Sequence, residues 1–472
     1  MIVVKKNIIP GDLADAVDRL FSLAGEKING LRENWNPEDG TPVFTVAGKY
    51  TSRGWTEWTQ GFLYGMGLLH FDGTGDESSL SYGRENTLNF MAPHLTHMGV
   101  HDHGFNNVST YGNLHRLMRE GKIEANNWER NFYELALKVS GAVQASRWTE
   151  LPEGLGYIHS FNGPHSLFTD TVRSLRILAL GHQLGHFLMG EQDKRISLLE
   201  RLLKHAETTI QYNIYHGDGK DSFDIRGRVA HEAIFNMNSG SYRCPSSQQG
   251  YSPFSTWTRG LAWAVCGFAE ELEFLSFVSE SEFEQMEMDG IKGKKGFLAR
   301  FQSAAEEVAD FYMENTPADG IPYWDTGAPG LIHLKDHLNR PSDPYNEYEP
   351  VDSSAAAIAA QGLIRLGKFL EKNGNPTKGQ RYLEAGFTVA DSLFREPYLS
   401  THSDHQGLIL HSVYHRPNGW DYIPDGQKVP CGESSMWGDY HAIELALLIQ
   451  RLSRGSYYSF FMDAGVEGGG TS

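Results

Sequence analysis

Two short segments place a carboxylate among groups suited to proton transfer or sugar binding. "HDHGF" (residues 101–105) sets Asp102 between His101 and His103, and Gly104 lets the backbone turn tightly. "SLFTDTVRSLRILALG" (166–181) sets Asp170 at the head of an apolar helical run, with Arg173 and Arg176 one and two turns on. At both positions two readings compete. Aspartate is a preferred helix N-cap, and as a cap it needs no other role. The sharper reading of Asp102 is an acid in a sugar site, with the histidines bonding hydroxyls. A metal site at 101–103 would need further ligands at suitable spacing, and no second cluster supplies them.

A third segment, "QGYSPFSTWTRGLAWAV", gathers Gln249, Tyr251, Trp257, Arg259 and Trp263. A core prefers Leu and Ile, and this stretch carries more polar capacity than a core needs. Indole faces beside a guanidinium and a carboxamide suit a ligand that is flat, polar and negatively charged. Sugar rings offer apolar C–H faces for such stacking. Trp55 and Trp58 in "GWTEWTQGF" add to the indoles. In "GLILHSVYHRPNGW" (407–420), His411 and His415 stand four apart, but Pro417 and Gly419 are too close for a helical metal pair. A loop lining a cleft fits better.

The elements that must position these residues are helices. Helical periodicity recurs near 11–25, 58–71, 81–97, 105–120, 126–144 and 168–187, then near 192–213, 257–275, 298–315, 353–371, 378–395 and 436–453. Breakers such as "HGDGKDS" and "KNGNPTKG" separate them. "PVDSSAAAIAAQGL" shows a cap at Asp352 or Ser353 followed by small residues that permit close packing. No proline- or serine-rich linker divides the chain. Twelve helices in one uninterrupted array predict an all-α fold, six helical hairpins closed into a barrel, as a single domain over 1–472. The length of 472 residues alone would suggest two or three domains.

A formal net charge of −18 argues against nucleic acid and anionic membranes as main partners. It leaves room for an anionic sugar, because one local arginine outweighs a distant field screened by salt. Cys244, Cys266 and Cys431 are isolated and read as reduced thiols. The N-terminal apolar run is too short for a signal peptide, and no run approaches the ~20 residues of a membrane span. The expected location is cytoplasmic, or periplasmic or secreted where a leader has been removed.

Together these segments resemble glycoside hydrolase family 88, the unsaturated glucuronyl hydrolases. "WTQGFLYGMGLLHFDGTGD", "HDHGF", "TDTVRSLRILAL", "QGYSPFSTWTRGLAWAVCGF", "IPYWDTGAPG", "DSSAAAIAAQGL", "LILHSVYHRPNG" and "WGDY" follow the family's order over roughly residues 55 to 455. The resemblance implies an (α/α)6 barrel and no metal or organic cofactor. It implies a partner as well: an oligosaccharide ending in a 4,5-unsaturated uronate left by a polysaccharide lyase. By the same resemblance Asp170 protonates C4 of the vinyl ether and helps water attack C5, while Asp102 binds ring hydroxyls and helps keep Asp170 protonated. Trp58, Trp257 and Trp263 would stack on the ring, Arg259 and Gln249 would meet the carboxylate, and His101, His231 and His411 would complete the substrate site.

Departures from the family's pattern fall at Pro253 and Phe254, where acids are usual, at Leu261, and in the basic helix carrying Arg173 and Arg176. The segment between Asp170 and His231 is also longer than usual. They point to a tolerant or anionic aglycone preference. Competing readings are the sister family acting on unsaturated rhamnogalacturonan or ulvan fragments, a non-catalytic glycan-binding barrel, and an epimerase using paired histidines.

Overall fold

The computed structural model describes residues 1–54, 57–284 and 286–461, so Trp55 lies outside the described residues. Fifteen α-helices occur among them. They are α1 (Ala14–Asn34), α2 (Gln60–Thr74), α3 (Glu77–Phe90), α4 (Ala92–Leu95), α5 (His103–Asn107), α6 (Asn113–Arg119), α7 (Asn127–Ser146) and α8 (Thr171–Ser174). Then follow α9 (Arg176–Gln183), α10 (Leu198–Tyr212), α11 (Thr258–Phe277), α12 (Gly293–Glu314), α13 (Ser353–Lys372), α14 (Pro376–Leu393) and α15 (Met436–Ser453). Each of the twelve periodic segments corresponds to one helix or a broken pair. The segment at 168–187 is shorter than its periodicity suggests, because a hairpin of Phe187–Met189 and Arg195–Ser197 interrupts it.

The helices form two concentric rings. The inner ring runs α2, α5–α6, α8–α9, α11, α13, α15 and closes back on α2. The outer helices α3, α7, α10, α12, α14 and α1 each pack against the inner ring or its neighbours. This is the (α/α)6 barrel. Sequence composition separates the rings. Inner helices such as α11 and α15 are buried on every side along most of their length, whereas α7 and α10 bury one stripe and leave the rest wet. Two glycines set the tightest approaches. A Cβ at Gly104 would overlap the Ser174 carbonyl, and one at Gly61 would overlap that of Asn106. Gly104 therefore lets the helix that follows Asp102 lie directly against the helix that follows Asp170.

Short strands supplement the barrel. A three-stranded antiparallel sheet pairs Ser166–Phe168 with Glu232–Phe235, and the latter with Tyr242–Ser246. Its register sets Phe168 opposite Glu232, and Thr169 N–H donates to the His231 carbonyl at 2.9 Å. That pairing fixes His231 beside Asp170 across sixty residues of sequence. No helix among the described residues is long and apolar enough to cross a membrane.

Candidate active site

All six inner helices begin at the same end of the barrel, with Thr59, Asp102, Asp170, Trp257, Asp352 and Ser435 at their N-cap positions. Positive helix ends favour an anion there. A cavity of about 620 Å³ opens at this end. Its lining includes Trp58, His101, Asp102, Asp170, Gln249, Trp257, Arg259 and Trp263, which brings together eight of the ten residues expected from sequence.

The capping reading of the two aspartates fails on geometry. Asp352 caps its helix in the ordinary way, its side chain accepting from Ser354 N–H at 3.1 Å. Asp102 and Asp170 occupy N-cap positions without any side-chain cap bond. Their carboxyls instead meet at His101. His101 Nε2 lies 3.3 Å from Asp170 Oδ1 and 3.7 Å from Asp102 Oδ1, and all three side chains are buried. Ser174 Oγ donates to the His101 carbonyl and accepts from Gly104 N–H, both at 2.9 Å, tying the two aspartate segments together.

Charge is shared unequally across this triad. Burial raises Asp102, and the charge of Asp170 adds to the rise against the opposing pull of His101. Burial would raise Asp170 too, but the hydrogen bond and charge of His101, with His231 and Arg259 behind it, hold it below its ordinary value. Burial lowers His101, yet the two carboxylates outweigh it and raise its pKa. Of the two carboxyls, Asp102 is thus pushed up and Asp170 held down. This differs from the expectation that Asp102 holds Asp170 protonated. The reason is that the histidine sits closer to Asp170.

A stability prediction follows. The His101 contribution is complete below its ordinary value of 6.5 and is lost as pH rises through the higher folded value. The Asp170 contribution is present above 3.8 and is lost as pH falls through the lower folded value. His101→Gln should therefore lose most stability between pH 3.8 and 6.5, and less at either side. Denaturant titrations of both proteins across pH check this. A difference that keeps growing above neutrality would contradict the pairing.

Aromatic rings wall the cavity. Trp58 stacks on Trp437 at 5.3 Å, Phe105 meets Trp263 at 4.7 Å, and Phe161 lies over His101 at 6.1 Å. His231 stands just behind the lining, between Phe168 at 4.4 Å and Trp257 at 4.8 Å. Its Nδ1 accepts N–H bonds from Gln248 and Gln249 at 3.0 and 3.3 Å, so the ring proton resides on Nε2. That Nε2 is buried and has no hydrogen-bond partner. A buried donor left unmatched is costly unless a ligand or water meets it.

Arg259 departs from its expected role. It is 3% exposed. Its guanidinium donates to Asp352 Oδ2 at 3.1 Å, Gln249 Oε1 at 2.9 Å, the Tyr414 carbonyl at 2.8 Å and the Val413 carbonyl. It also lies over Trp257 and Trp437, at 4.7 and 4.8 Å from their centroids. With four bonds made inside the protein, Arg259 holds Gln249 and the 413–414 backbone in place. Because Gln249 Oε1 faces Arg259, its amide NH2 is the end left for a ligand oxygen.

Three further expectations need correction. His411 lies outside the cavity lining, its backbone in the left-handed region at φ 67° and its ring between Tyr345 and Tyr398. Its Nδ1 accepts from Gly432 N–H. Arg173 and Arg176 add nothing to the cleft wall and do not pair with Asp170. They are buried below it against Glu270 and Glu444, with Arg173 Nη1 at 2.6 Å from Glu270 and Arg176 Nη1 at 3.6 Å from Glu444. Tyr251 is 52% exposed and lies outside the lining.

No family model matches the chain. The chain is 24% identical over 396 residues to an unsaturated glucuronyl hydrolase of Formosa agariphila, a match spanning 82% of this chain and 78% of that protein. An unsaturated chondroitin disaccharide hydrolase of Streptococcus agalactiae is also 24% identical, over 395 residues, 82% of this chain and 80% of its own. The crystal structure of the unsaturated glucuronyl hydrolase of Bacillus sp. GL1, responsible for the degradation of glycosaminoglycan, has a TM-score of 0.67 at 22% identity, covering 94% of this chain and 98% of that one. The curated relatives of this chain are unsaturated glucuronyl hydrolases and unsaturated chondroitin disaccharide hydrolases. Their barrel is the barrel described above.

Beyond the residues expected from sequence, the cavity lining includes Phe161, Gln248, Tyr414, His415, Asn418 and Trp420. The last four come from the loop that the sequence marked as cleft-lining. That loop was assigned through His411, whereas the residue facing the cavity is His415, four positions on. Phe161 carried no signal, since a lone Phe in "HSFNGPH" has no periodicity or charged neighbour. Among the described residues no group of three or more His, Cys, Asp or Glu side chains is placed to hold a metal ion.

Proposed function

We propose that this protein, as one (α/α)6 catalytic domain, removes the 4,5-unsaturated uronate from the nonreducing end of lyase-made oligosaccharides. The observation that carries the reading is the pair of N-cap aspartates whose carboxyls leave their helices and share His101 in an aromatic-walled cavity. The names of the homologues support the same activity.

In the proposed reaction the flattened uronate ring stacks among the indoles of Trp58, Trp257 and Trp263. Its carboxylate takes hydrogen bonds from the Gln249 amide and the unpaired His231 Nε2–H. Entry of an anion and exclusion of water both disfavour the Asp170 carboxylate, and the proton moves to it from His101. Asp170 then protonates C4. The cation left at C5 is stabilised by the ring oxygen, and Asp170, again a carboxylate, takes a proton from the water that attacks C5. The hemiketal opens and releases the aglycone. Asp102 holds ring hydroxyls and fixes His101.

The test is loss of the ultraviolet absorbance of the conjugated uronate when purified protein is given a panel of unsaturated disaccharides. Steady decay on at least one, with release of the reducing-end sugar, is expected. Binding without decay across the panel would mark a glycan-binding barrel instead.

A further inference from the structure

Two loops, one anchored in the cavity lining and one packed against it, carry exposed aromatic rings, and neither ring has a part in the reaction proposed above. The loop between Gln249 and Trp257 leaves the cavity lining at one residue and returns to it at the other. It carries Phe254, 44% exposed, and Tyr251, 52% exposed. The second loop, between α10 and the strand Glu232–Phe235, carries Phe223 at 51% and Ile225 at 59% exposure. The rings of Phe223 and Phe254 meet at 5.0 Å with an interplanar angle of 33°.

This pairing is built from beneath. Arg228 is 2% exposed, and its guanidinium donates to the Phe223 carbonyl at 2.6 Å and to the Pro253 carbonyl at 3.1 Å. The same guanidinium lies 3.6 Å from the Tyr215 ring centroid and 3.5 Å from Asp221. One buried arginine thus clamps both loops just where their phenylalanines emerge. Ser252 and Ser255 brace the 251–256 tip through mutual bonds, and Tyr251 N–H donates to Asp325 at 2.8 Å.

We infer that Phe223 and Phe254 form a stacking platform for a sugar ring beyond the scissile bond, in the part of an oligosaccharide that runs out of the cavity. The platform takes the apolar C–H face of a pyranose and does not read charge. The inference rests on the oligosaccharide reading for the identity of the chain it binds. The occupant follows from continuity, since the platform loop is bounded at both ends by lining residues of the cavity. On this inference a disaccharide, with one sugar past the bond, does not engage the platform, and a tetrasaccharide does.

The experiment compares unsaturated di- and tetrasaccharides prepared by lyase from unsulfated chondroitin, using wild type, Phe254→Ala and the double variant Phe223→Ala/Phe254→Ala. Wild type should show the lower KM for the tetrasaccharide. The variants should raise that KM about five- to tenfold, as expected for a lost aromatic contact, and leave disaccharide kcat/KM unchanged. Binding of a saturated chondroitin tetrasaccharide, which lacks the reactive bond, is measured by calorimetry and should weaken by the same factor. An unchanged KM ratio, an equal fall on both substrates, or unaltered binding of the saturated tetrasaccharide would each overturn the platform. Absence of turnover by wild type on every unsaturated substrate would overturn the proposed function, and the binding measurement would still decide the platform.

Discussion

Asp170→Asn should fold like the wild-type protein and lose nearly all turnover. Asparagine is as good an N-cap as aspartate, and the native side chain makes no cap bond that the change could remove. The amide cannot carry a proton to C4 or accept one from water. General acid–base assistance is worth about 10²–10⁴ in rate, and in the proposed reaction Asp170 supplies it in both directions. Its loss should appear in kcat, with substrate still bound, because the stacking and hydrogen-bonding groups stay in place. Thermal melting, titration with an unsaturated disaccharide and absorbance decay test all three parts. Near-wild-type turnover by a well-folded variant would remove Asp170 from the chemistry.

Arg259→Lys should damage stability and activity together. The guanidinium spans Asp352, Gln249 and two loop carbonyls, and lysine has neither the fork nor the number of donors to replace it. Breaking a buried, hydrogen-bonded pair by removing one partner costs about 3–5 kcal/mol, and Arg259→Met should approach that range, with lysine falling short of it. Released from the arginine, Gln249 and the 413–421 loop lose their fixed positions. A misplacement of about 1 Å is enough for a 10²-fold loss of rate. Had Arg259 gripped the substrate carboxylate directly, as its place in the sequence suggested, lysine would lower activity and leave melting unchanged. The paired measurements separate the two roles.

The barrel was legible because its helices are written in two distinct ways. Inner helices carry Ala, Gly and unbroken apolar runs, as in Ser353–Lys372, and outer helices carry a 3.6-residue stripe, as in Leu198–Tyr212. The sheet that sets His231 against Asp170 was not legible. Its strands are three to five residues long and fall where turn residues dilute any alternation. The residue types of the site were readable, but their directions were not. Arg259 lies one position after the residue that opens α11, and nothing in one dimension distinguishes an arginine aimed at substrate from one aimed at Asp352. His411 and His415 share a loop, and the spacing alone does not tell that His415 lines the cavity while His411, with its left-handed backbone, lies outside the lining. That Arg173 and Arg176 would pair with acids was readable, but not with which, since Glu270 and Glu444 lie far along the chain.

The uncapped aspartates set heat resistance against turnover. Asp102 opens a helix without closing it, and its burial disfavours the charged form that neutral pH would impose. Asn at this position would add no buried charge and could turn back to cap α5, so Asp102→Asn should melt at a higher temperature than the parent while working poorly. Variants sorted only for surviving heat would drift toward the amide, and those sorted for growth on lyase products would drift back. The residue at 102 would then report which of the two demands a lineage has faced.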